Sequence, residues 1–91
     1  MFFAKRDRYV KPDGKAFWVM VRTAKSGELV KVRLSRSSEL SPSKEGYYVR
    51  KVIIAPDSLD RAELQIWFDR RMRPRRKAIE GGELVPIKEW S

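Results

Sequence analysis

Apolar and polar residues alternate strictly over several stretches of this chain, the period of an extended strand with one buried face. Between Ala16 and Thr23, the side chains of Phe17, Val19 and Val21 share one face, and Trp18, Met20 and Arg22 share the other. Glu28 to Leu34 repeats the pattern, with Val30, Val32 and Leu34 set against Lys31 and Arg33. Tyr47 to Ile54 is dense in aromatic and β-branched residues, which suit a pleated surface, and Pro56 closes it. Lys11-Pro12-Asp13-Gly14-Lys15 carries the Pro and Gly of a tight turn, so Phe3–Val10 and Ala16–Thr23 are predicted to form a hairpin. Ala24-Lys25-Ser26-Gly27 marks a second turn. Together these segments predict a four-stranded antiparallel sheet, with residues 35–46, rich in Ser and Gly and lacking periodicity, as a flexible loop.

Residues 59–73 carry a different signal. Asp57 or Ser58 supplies an N-cap, Asp60 and Glu63 place acid in the first turns, Arg70, Arg71 and Arg73 stand at the end, and Pro74 stops the run. At about 100° per residue, Leu64, Trp67, Phe68 and Met72 form one apolar stripe, and Leu59, Ala62 and Ile66 form another on roughly the opposite side. The expected fold is therefore α+β: a four- to five-stranded antiparallel β-sheet with one long α-helix across it, in the order ββββα. The fifth strand is short and lies within Glu83–Ile87, after Gly81-Gly82. One sheet cannot cover both stripes, so Leu59, Ala62 and Ile66 are the expected interface, covered by the C-terminal segment or by a second subunit of a homodimer. Residues 74–91 read as an extended tail, basic and then acidic, and no repeat with a period of about 20–50 residues is expected.

At 91 residues the chain makes a single domain, 1–91. Its 21 Lys and Arg outnumber 12 Asp and Glu for a net charge of +9, which favours polyanionic partners. The sequence has neither Cys nor His, so disulfides, thiol chemistry, Cys/His zinc sites and histidine acid–base catalysis are excluded. Phosphate-cradling G-x-x-x-x-G-K-[ST] and nucleophile-elbow G-x-S-x-G patterns are absent. Pro56-Asp57 opens like a PD-(D/E)xK nuclease, but the acid two residues before a Lys that must follow is missing, and Asp57 with Asp60 suits helix capping better than magnesium. The expectation is no catalysis, no metal, no cofactor and no small-molecule ligand. Met1-Phe2-Phe3-Ala4 meets charge at Lys5, and no run approaches the roughly 18 apolar residues of a membrane span, so the expected location is cytoplasmic. The lack of Asn, a lone Gln65 and 36% charged residues are shared by thermophilic proteins and by products of Arg-rich, GC-biased genomes.

Two constellations carry candidate chemistry. Arg70, Arg71, Arg73, Arg75, Arg76 and Lys77 place six cations within eight positions without an intervening acid. Guanidinium forks pair with phosphate oxygens and release condensed counterions, which points to a nucleic-acid backbone. The competing account is a solvated helix end whose cations complement the macrodipole and pair with Glu80, Glu83 and Glu89; it covers Arg70 to Arg73 but not Arg75, Arg76 and Lys77 beyond Pro74. The second constellation is a sheet face of Trp18, Arg22, Lys31 and Arg33, an aromatic beside cations that suits base stacking or a groove. Its competing account packs Trp18 and Met20 under the N-terminal strand or a subunit. Lys5, Arg6 and Arg8 read either as an arm along a backbone or as a charged strand edge that resists aggregation.

The basic hairpin from Asp13-Gly14-Lys15 through Leu34, with Trp18 among its charges, resembles the sheet of integrase arm-binding domains, where three strands and a helix enter the major groove. The ββββα order is similar to one repeat of Whirly-type single-strand binders, which pair up. The resemblances imply nucleic-acid contact through the sheet. The expected function is non-catalytic binding of DNA or RNA. The alternative is a protein–protein interaction or assembly module, of a viral, mobile-element or ribosome-associated kind, working through Leu59, Ala62 and Ile66. Adsorption to an anionic membrane fits less well, because acids occupy the first half of the expected helix.

Overall fold

The computed structural model describes residues 7–90. β1 (Lys11–Asp13) and β2 (Ala16–Thr23) form a hairpin, and β3 (Leu29–Ser35) pairs with the other edge of β2. The chain then crosses to a second antiparallel sheet of β4 (Ser41–Ser43), β5 (Gly46–Ile54), β6 (Arg61–Asp69) and β7 (Pro74–Glu80), paired in that order. β8 (Gly82–Leu84) returns to the first sheet beside the end of β2, and a single 3-10 turn, Ile87–Glu89, follows. No helix among the described residues is long and apolar enough to cross a membrane.

The α+β expectation is thus corrected: 58% of the described residues are strand, in two antiparallel sheets, and no helix among them reaches 7 residues. The expected helix over 59–73 is β6 and the turn after it. Ala62, Leu64, Ile66 and Phe68 point inward and are at most 2% exposed, while Glu63, Gln65, Trp67 and Asp69 alternate outward. The two opposite helical stripes are one strand face read at the wrong period: residues two apart lie about 200° apart on a helix, so Ala62 and Ile66 fall opposite Leu64 and Phe68. The apparent caps have other work. Leu59 N–H closes a turn onto Ala55 O, and the Asp57 and Ser58 N–H groups donate to the Glu28 carboxylate at 3.0 and 2.7 Å.

Other boundaries shift less. β2 is as expected, and β3 and β5 each lie within one residue of expectation. Within the expected Phe3–Val10 strand, residues 7–10 are not strand, and the hairpin's first strand is Lys11–Asp13; Phe3 to Arg6 lie outside the described residues. The expected loop 35–46 contains β4, the basic tail contains β7, and the short late strand is β8 rather than Glu83–Ile87.

The two sheets enclose one core. Phe17, Val19, Val21, Val32 and Leu34 face Val49, Ile53, Leu64, Ile66 and Phe68, and the Phe17 and Phe68 rings meet at 4.8 Å. The second sheet therefore covers the valine side of β2, the role assigned to a helix. A repeat also emerges: Lys11↔Trp18, Pro12↔Phe17 and Asp13↔Ala16 are matched by Ser41↔Tyr48, Pro42↔Tyr47 and Ser43↔Gly46, a shift of 30 residues from Lys11 to Ser41. In both hairpins Pro12 and Pro42 sit on short edge strands, where the missing N–H removes no ladder bond. Gly81 makes the corner between the sheets with φ 80°, and a Cβ there would lie 2.4 Å from Arg61 O. Only Gly fits.

At one end of the sandwich, carboxylates tie the β2–β3 turn to the β5–β6 turn. Asp60 Oδ2 accepts from Thr23 Oγ1, Ser26 Oγ and Ser26 N–H at 2.8, 2.6 and 3.0 Å. These bonds, from Ser26 foremost, hold the Asp60 carboxyl below its ordinary range, and bonds from Ser58 do the same for Glu28.

Candidate nucleic-acid interface

The other end of the sandwich gathers arginines, and Asp69 organises them. Asp69 closes β6, where Met72 N–H donates to Asp69 O at 2.9 Å and Asp69 N–H donates to Arg73 O at 3.0 Å. Met72 takes the left-handed position with φ 59°, completing a three-residue hairpin loop. Asp69 Oδ1 accepts from the N–H groups of Arg71 and Arg73, and Oδ2 accepts from Arg73 Nε at 2.9 Å and Arg75 Nε at 3.1 Å. The Arg73 N–H bond leads the contacts that pull this carboxyl down to about 2. One carboxylate thus folds the turn and aims two guanidinium groups.

Beside this turn lies a cleft of about 710 Å³ lined by Arg8, Arg36, Arg71, Arg73 and Arg75 around an apolar floor of Val10, Phe17 and Met72. Asp7 is the only acid in its lining. That charge is already engaged: Lys77 Nζ donates to Asp7 Oδ1 at 2.8 Å, and the Tyr9 and Val10 N–H groups donate to Oδ2. Arg36 lies over Phe17 with Cζ 4.1 Å from the ring centroid, and its Nε is buried without a hydrogen-bond partner among the described residues. A buried unpaired donor costs about 1–3 kcal/mol, so structures rarely keep one.

The six clustered cations therefore divide. Arg71, Arg73 and Arg75 line the cleft, Arg70 is exposed in the turn, Lys77 is paired with Asp7, and Arg76 points outward over Trp67. With a turn and β7 in place of a helix end, no macrodipole accounts for Arg70, Arg71 and Arg73. Arg8 and Arg36 join the cleft from elsewhere in the sequence, while Lys5 and Arg6 lie outside the described residues.

Trp18, Arg22, Lys31 and Arg33 do share the outer face of the first sheet, but none of them lines the cleft. Trp18 is half-buried, with Nε1 donating to Asp13 at 3.0 Å, and Lys31 Nζ stands 5.1 Å from the Trp18 ring and 5.6 Å from the Trp90 ring. Arg22 pairs with Glu83 at 3.1 Å, and Arg33 is exposed. The expected interface residues part company: Leu59 is 71% exposed in a turn, whereas Ala62 and Ile66 are 1% and 0% exposed inside the core.

Sequence reading missed Arg36, placed in a loop, and missed that Tyr48 and Trp67 stand in one outward row with the already named Arg76 across β5, β6 and β7. The Trp67 signal was present: at period 2 it falls among Glu63, Gln65 and Asp69, on the polar face. No protein-family model, curated protein or solved structure matches this chain, so the site is read from its own geometry.

Proposed function

We propose that this protein binds nucleic acid without catalysing a reaction on it, and that the arginine cleft is where phosphates bind. The observation that carries the reading is the convergence of five arginines on one cleft whose single lining acid is already paired. Like charges held this close repel, and an anion in the cleft relieves them. The planar forks of Arg36 and Arg71 suit bidentate contact with phosphate oxygens. Arg73 and Arg75, held by Asp69, keep nitrogens beyond Nε for the ligand. A cytoplasmic location belongs to the same proposal.

The assembly-module alternative keeps only Leu59 of its surface, since Ala62 and Ile66 are buried within the chain. The argument for a homodimer weakens with it, because the first sheet covers the inward face of β6 that a partner subunit was expected to cover. Fluorescence anisotropy with a labelled oligonucleotide in dilute buffer tests the proposal. Wild-type protein should bind, and Arg71→Ala should weaken binding several-fold. No binding, or an unaltered affinity for Arg71→Ala, contradicts the assignment.

A further inference from the structure

We propose that the nucleic acid taken by this site is single-stranded, with a base stacked on a Trp67–Arg76 platform while its phosphates run through the arginine cleft. This rests on the nucleic-acid reading above and names the form of the ligand. Strict alternation along β7 would place Arg75 on the face opposite Arg76. A bulge opposite Trp67 and Phe68 breaks the register, pairing Trp67 with Arg76 and Phe68 with Pro74, so Arg75 is the extra residue. Arg75 thereby lines both the cleft and a second hollow of about 550 Å³ beside Trp67, which also takes Lys44 from the β4–β5 turn. Glu45 and Asp69 also line that hollow, Asp69 already bound to Arg73 and Arg75, and the arginine wall runs past them onto an aromatic surface.

That surface already holds a planar group. Arg76 Cζ rests 4.1 Å from the Trp67 ring centroid, and the Tyr48 ring lies 5.3 Å away at 45°. The indole does not fill the core, which β6 supplies from its other face through Leu64, Ile66 and Phe68. A half-buried indole carrying an exposed guanidinium beside a cationic groove forms the kind of surface on which unpaired bases stack. In a duplex the base faces are hidden in the helical stack. A concave cleft ending in an aromatic platform suits a strand whose bases are free to turn outward.

Anisotropy titrations at one salt concentration test this. The probes are labelled oligothymidylate and oligouridylate of about 12 nucleotides and a duplex of equal length, with inorganic polyphosphate as competitor. At least one single strand should bind more tightly than the duplex. Trp67→Ala should weaken that binding roughly 30-fold, the middle of the range for one stacked base, while leaving duplex and polyphosphate unchanged. Trp67→Phe should recover most of the loss. Arg76→Ala, on an exposed side chain, repeats the comparison with the indole intact and should also cost single-strand affinity more than duplex affinity. Equal affinity for duplex and single strand, or Trp67→Ala binding as wild type does, overturns the stacking proposal and leaves the nucleic-acid reading standing. Failure to bind any of these polyanions in dilute buffer overturns both.

Discussion

At Arg36 the proposed phosphate cleft carries a local cost in stability. The Arg36 guanidinium lies on Phe17 at 4.1 Å, among four other cleft arginines, and its Nε–H has no partner among the described residues. The cation–π contact is worth about 0.5–1 kcal/mol, less than the roughly 1–3 kcal/mol cost of an unsatisfied buried donor. Arg36→Met keeps apolar contact with Phe17 and removes both the orphan donor and a like charge. It should raise Tm by a few degrees while weakening oligonucleotide binding several-fold, as thermal melts and anisotropy on the same preparation would show. A lower Tm with unchanged affinity would make Arg36 a structural residue. Asp69 illustrates the opposite case, a carboxylate whose charge is fully used by the turn it closes.

Among the elements, β2 and β3 were legible because alternation over seven or eight residues leaves one reading, and β5 because its aromatic and β-branched residues suit a strand. β6 was not. Its run Arg61-Ala62-Glu63-Leu64-Gln65 is made of strong helix formers, and the caps on either side look correct locally. What decided the outcome is tertiary: β5 pairs with β6 along all nine of its residues and offers the inward row an apolar surface. The cleft was half legible. The clustered arginines stand out in any reading, but Arg8 and Arg36 reach it only because β1, β2 and the β6–β7 turn converge there. The strand assignment puts Ile66 in the core and its neighbour Gln65 on the outer face. Ile66→Ala should cost about 2–5 kcal/mol in urea unfolding, and Gln65→Ala should stay within about 0.5 kcal/mol. Similar costs at both positions would contradict the sandwich.

Across the whole molecule, acids fasten the fold and cations are left over for a ligand. Ser26 holds down Asp60, Ser58 holds down Glu28, Arg50 holds down Glu63, and the Arg73 N–H leads in holding Asp69 at about 2. A carboxyl whose folded pKa is depressed contributes stability above its unfolded pKa and loses it as pH falls through the folded value. With no His or Cys in the sequence, Tm should be nearly level from about pH 5 to 8 and fall steadily below about pH 4.5, continuing toward pH 2 as Asp69 protonates. A Tm maximum at low pH would contradict these pairings. The surplus cations answer to salt. In a plot of log affinity against log salt on duplex DNA, each cation that neutralises a phosphate contributes a slope of about −0.9. The most direct measurement is that slope for wild type, for Arg36→Ala with Arg71→Ala, and for Lys31→Ala with Arg33→Ala on the outer face of the first sheet. The wild-type slope should lie near −4 to −5, as about five neutralised phosphates give. The cleft variant should lose about two units of it and the sheet-face variant almost none. A flat wild-type response, or a loss confined to the sheet-face variant, would contradict the cleft as the phosphate site.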